Sequence, residues 1–134
     1  MSPEPPPAGT PGRWLHHARS DLAYALAPRP VGGLLETLCF HAQQAAEKSL
    51  KAVLVHHSVD FPRTHNLVRL VDLLPADLAR PPELAQVVRL TPYAVAARYP
   101  GVDDEVTEDQ YQEAQEAVRL AVTIVAWAGG VING

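Results

Sequence analysis

The stretch from residue 34 to 57 most constrains what this chain can become. At 100° per residue, Leu38, Ala42, Ala46, Leu50 and Val53 fall on one side. His41, Gln44, Lys48 and Lys51 fall within an arc of about 80° on the other. The spacing therefore predicts a long amphipathic helix with a core face and a polar stripe. That stripe is either a solvated face or a basic binding surface, and periodicity alone leaves both open.

The rest of the chain supplies partners of the same kind. Over residues 13–27, Leu15, Ala18, Leu22, Ala25 and Leu26 recur at helical spacing, and Pro28 and Pro30 end the run. Thr64 is placed to cap a helix over 65–74, with Leu67, Leu70, Val71 and Leu74 inward, and Pro75 stops it. Pro81 and Pro82 open a fourth helix over 82–98, with Leu84, Val87, Val88, Thr91, Ala94 and Val95 on one face. Pro92 lies inside it, so a kink is expected. Thr107 and Gln110 form a capping box for a last helix over 108–131, with Tyr111, Ala114, Val118, Ala121, Val122 and Val125 buried. No strand pattern or internal repeat is found. The expected fold is all-α: an antiparallel up-and-down helical bundle of four long helices plus a shorter one.

Composition agrees. Ala and Leu make 36 of 134 residues and only 8 are aromatic, which favours helix over sheet. Five of the 13 prolines fall in the first 11 residues, so residues 1–12 are expected to be a disordered Pro-rich tail before one domain over 13–134. The formal charge of −4 argues against a broad nucleic-acid-coating surface. No apolar run approaches ~18–20 residues and no secretory leader is seen, so a cytoplasmic protein without a membrane span is expected.

Few chemistries are signposted. The six histidines lack the i, i+4 spacing of a helical zinc site, and adjacent histidines point about 100° apart, so no metal is expected. Cys39 falls on the core side of its helix. No GxSxG or GxxxxGK motif occurs, so neither a nucleophile elbow nor a nucleotide cofactor loop is expected. Arg98 is the unusual residue, a guanidinium on a mostly apolar face, followed by the phenol of Tyr99. It needs either a bound anion or an internal carboxylate, such as Glu47 or an acid of the run Asp103, Asp104, Glu105. Arg63 and His65 flank a helix start, and Lys48 and Lys51 join them if the helices fold back. The candidate ligand-binding set is Arg98, Tyr99, Lys48, His65 and Arg63.

Three blocks at these residues resemble the HEPN domain family: FHAQQAAEKSLKAVLVHH from Phe40, RTHNLVRLV from Arg63 and YAVAARYPG from Tyr93. Their order and spacing also match, and the likeness covers about residues 14–131. The resemblance implies a homodimeric helical bundle, encoded beside a minimal nucleotidyltransferase in toxin–antitoxin or related modules. Many such domains are metal-independent ribonucleases that use an arginine followed after four to six residues by a histidine; others bind nucleotides or partners. Here Asp103, Asp104 and Glu105 occupy the three histidine positions counted from Arg98, and no histidine follows His65. A carboxylate lacks the imidazole's acid–base balance near neutrality and repels RNA phosphates. The expectation is therefore a non-catalytic binding module with no cofactor, paired with a nucleotidyltransferase and able to hold a nucleotide. The alternative is a ribonuclease toxin with a non-standard site, such as Arg98 with His65 or His41. A third reading makes Arg98 a salt-bridge partner only.

Overall fold

The computed structural model describes residues 4–93 and 108–134. Five helical elements follow one another: α1 (Pro11–Leu26), α2 (Leu35–His56), α3 (Leu67–Asp72), a 3-10 helix (Pro82–Tyr93) and α4 (Glu108–Asn133). No strand occurs among the described residues. α1 runs antiparallel to α2, since Tyr24 near its end meets His41 and Trp14 near its start meets Lys51. α4 starts where α1 ends and α2 begins, since Tyr111 and Val118 line a groove with Leu26, Leu35 and Leu38. The third position of an up-and-down bundle is filled by α3 and the 3-10 helix, which pack on each other and on α2.

The first helix begins two residues earlier than expected. Thr10 caps it, accepting from the Arg13 amide at 3.2 Å, and Pro11 occupies the first turn, where a missing N–H costs nothing. The Arg13 guanidinium also donates to the Pro6 carbonyl. The connection to α2 turns at Gly32, whose φ of +79° a side chain would resist, and the Gly33 amide closes the turn on the Pro30 carbonyl. The short α3 is capped by Asn66 rather than Thr64: Asn66 Oδ1 accepts from the Arg69 amide, while Thr64 Oγ1, two residues earlier, accepts from the Asn66 amide.

The largest departure is the fourth element. Pro81 and Pro82 at its start and Pro92 near its end each deny an amide, and the chain tightens into 3-10 geometry instead of a kinked α-helix. Its inward residues are Leu84, Val87 and Leu90, three apart as a 3-10 helix requires. Val88 and Thr91, expected inside, face solvent. Ala94, Val95 and the remainder of the expected helix lie outside the described residues.

In α4 the buried stripe is Ala114, Ala117, Leu120, Ala121, Ile124, Val125 and Ala128. Tyr111 and Val122 are exposed instead. α4 is long and apolar enough to cross a membrane by length and composition. Here that apolar stripe joins the bundle core. α2 is the central helix, packed by α1, α4, α3 and the 3-10 helix, and twelve of its 22 residues are buried.

α2 ends in a six-residue reversal. The Val59 amide donates to the Leu54 carbonyl and the Ser58 amide to Val55, with Ser58 left-handed at φ 59°. A serine pays about 1 kcal/mol for that conformation and a glycine does not. Ser58→Gly is therefore expected to stabilise the domain by about 0.5–1 kcal/mol, read as a higher urea midpoint at unchanged slope. A loss of stability would contradict this reading of the cap.

Candidate functional site

The polar stripe of α2 is not a solvated face. It lies against α1, and the seam between the two helices holds the cations in two clusters. In the first, Asp21 on α1 receives two donors from α2: Lys48 Nζ to Oδ2 at 2.6 Å and His41 Nδ1 to Oδ1 at 3.0 Å. The Asp21 side chain is 14% exposed, so both charge-assisted bonds are partly shielded from water. The Tyr24 ring stacks on the His41 imidazole, with centroids 5.1 Å apart and planes 23° off parallel.

The second cluster centres on Glu47, whose side chain is 4% exposed. Its carboxylate accepts from Gln43 Nε2 at 3.2 Å, Lys51 Nζ at 3.1 Å and His65 Nδ1 at 2.7 Å. Gln43, Glu47 and Lys51 are four apart on one helical face, which is what lets them join. The Lys51 ammonium sits 5.5 Å from the Trp14 ring centre and 5.6 Å from that of Phe61, so two aromatic faces complete its desolvated shell. This ties the start of α1, the middle of α2 and the approach to α3 at one point.

Lys48 and His65 are thus both ordered, but on different carboxylates. Arg63 is exposed on the connection before α3. Arg98 and Tyr99, with Asp103, Asp104 and Glu105, lie outside the described residues. Among the described residues no group of three or more His, Cys, Asp and Glu side chains is placed to hold a metal ion.

Asp21, Tyr24, Arg13 and His17 were not anticipated in the site. Their signal was present: Arg13, His17, Ser20 and Tyr24 recur at four, three and four along α1, one outward stripe bordering the seam. Arg13 Nε donates to His17 Nε2 at 3.1 Å, a bond that the neutral imidazole with its proton on Nδ1 accepts. The pKa of His17 is lowered, first by partial burial and then by the positive charges of Arg13, Lys48 and His16, with Asp21 opposing them.

The seam belongs to the positive half of the molecule. Residues 1–69 carry seven Lys and Arg against five Asp and Glu, together with all six histidines. Residues 70–134 carry four against ten. The net charge of −4 is therefore unevenly spread along the chain, with the acidic excess in its second half.

Comparison with known proteins points to one family. The family model of the HEPN domain matches residues 12–131. The crystal structure of TT1696 from Thermus thermophilus superposes with a TM-score of 0.72 at 29% identity, covering 90% of this chain and 97% of that one. The structure of ST0689, an archaeal HEPN homologue, gives a TM-score of 0.65 at 29% identity, covering 92% and 98%. A search of curated proteins finds no match.

Proposed function

The chain belongs to the HEPN domain family, and from that premise we propose a cytoplasmic, non-catalytic binding module, a homodimer that works beside a minimal nucleotidyltransferase and holds a nucleotide on its basic face. The observation that carries this reading is the identity of the residues after Arg98. Asp103, Asp104 and Glu105 stand where a ribonuclease of this family would need a histidine. His41 and His65 do not meet the family's spacing either, since no arginine stands four to six residues before them. Lys48, His65 and Arg63, with Arg98 and Tyr99 from the RYPG turn, are the proposed ligand contacts.

The dimer reading draws support from the end of the bundle where α1 stops and α2 and α4 start. Leu26, Leu34 and Tyr111 are exposed there, and Val31 projects fully into solvent. Beside them runs a groove of about 590 Å³ lined by Leu35, Leu38 and Val118. Such apolar clusters mark protein contacts more often than free surface. Leu120 and Trp127 of α4 serve the bundle itself: Leu120 is buried, and the Trp127 indole donates to the Ala79 carbonyl at 2.9 Å.

Thermal unfolding with and without ATP tests the module reading. Ligand at a hundred times its Kd adds about 2.7 kcal/mol, so the midpoint is expected to rise by several degrees. RNA incubated with the protein in EDTA is expected to stay intact. Cleavage that disappears in Arg98→Ala would replace the binding module with a nuclease.

A further inference from the structure

We propose that the outward stripe of α1 is where the nucleotide sits: its base stacks on Tyr24, and its phosphates run along the helix to His17, Arg13 and Lys48. This rests on the nucleotide-binding reading above but moves the nucleotide to a place that the sequence did not indicate, keeping Lys48 alone of the contacts named there.

Tyr24 is 62% exposed, yet it does not wave freely. One face of its ring lies on His41. His41 is held by Asp21, and Asp21 by Lys48. The ring is therefore ordered before any ligand arrives, and its other face is open to a second aromatic plane. Pre-ordering lowers the entropic cost of binding, and base–aromatic stacking is tolerant of base identity.

The spacing fits the length of the ligand. Tyr24 and His17 are seven residues apart on one face, about 10 Å at the helical rise. That is the reach of an extended nucleoside triphosphate from base to terminal phosphate. Ser20 offers a hydroxyl midway, beside the ribose. At the phosphate end, Arg13 and Lys48 bring two positive charges against the one negative charge of Asp21, which is bonded to Lys48 and His41. The His17 pKa is lowered first by burial and then by these positive charges, and an anion placed there opposes both. The nearby Lys51, by contrast, is enclosed by Glu47, Trp14 and Phe61 and takes no part.

The test is ATP binding by calorimetry to the full chain and to Tyr24→Ala, Tyr24→Phe and His17→Ala. Each substitution is at an exposed side chain, so the unliganded melting curves serve as the folding control. Tyr24→Ala is expected to weaken ATP at least tenfold, Tyr24→Phe to restore it, and His17→Ala to weaken it several-fold. Adenosine and inorganic tripolyphosphate should each bind more weakly than ATP. In NMR titrations, saturating ATP should raise the His17 pKa. If ATP binds the native chain and Tyr24→Ala equally well, or no better than tripolyphosphate does, the site is elsewhere and the nucleotide reading survives without it. If ATP does not bind the native chain at all, both fall together.

Discussion

Glu47→Ala is expected to destabilise the domain by about 3–5 kcal/mol, a fall in melting temperature of about 10–20 °C. The carboxylate has three donors and almost no contact with water. Removing it strands the ammonium of Lys51, a residue 8% exposed, between Trp14 and Phe61 with no counter-charge. Cation–π attraction of about 1–2 kcal/mol offsets only part of the cost of a buried unpaired ion. The loss reaches beyond one pair, because His65 also lets go and loosens the approach to α3. The companion experiment is the double variant Glu47→Leu/Lys51→Met. Replacing both members of a buried pair by apolar groups is often neutral, so the double variant is expected to recover most of the stability. If Glu47→Ala costs under about 1 kcal/mol in urea unfolding, the carboxylate is not the hub described. If the double variant is no better than the single one, the cost lies in lost packing and not in a stranded charge.

That hub also shows what the sequence could and could not reveal. Periodicity correctly sorted α2 into an apolar side and a polar stripe, because which residues share a helical face depends only on the 3.6-residue turn. It could not say what covers each face. Lys48 and Lys51 looked alike on the helical projection, yet Lys48 is partly exposed on Asp21, whereas Lys51 is enclosed with Glu47. Asp21 stood out in no pattern and Glu47 only as a possible partner for Arg98, since the donors His41, Lys48 and His65 lie 18 to 27 residues away from them along the chain. The 3-10 helix failed for a different reason. Over so few turns, Leu84, Val87 and Leu90 satisfy a period of 3.0 while Leu84, Val87 and Val88 satisfy 3.6, and only the crowding of prolines favours the former. In α4 nearly every second residue is apolar, so the stripe's phase was set by packing against α1 and α2 and not by the pattern itself.

The second large effect tests that packing. Leu50→Ala is expected to cost about 2–5 kcal/mol, toward the upper end of that range. Leu50 is fully buried on the central helix. The cost of such a truncation depends on how far the surroundings collapse into the space left behind. Here much of the core is alanine: Ala18 and Ala25 on α1, Ala42, Ala45, Ala46 and Ala52 on α2, Ala117, Ala121 and Ala128 on α4. An alanine has no rotamer to swing into a hole, so closing it would require moving whole helices. α2 cannot shift toward the gap without breaking the Asp21 and Glu47 contacts that pin it to α1 and to His65. The cavity therefore stays open. Leu34→Ala, at a position 59% exposed, should stay within about 0.5 kcal/mol in the monomer. Urea unfolding distinguishes the two, with the midpoint of Leu50→Ala falling sharply at unchanged slope. A cost near about 1 kcal/mol would mean that the helices close on the cavity after all, and that the polar seam yields more readily than its geometry implies.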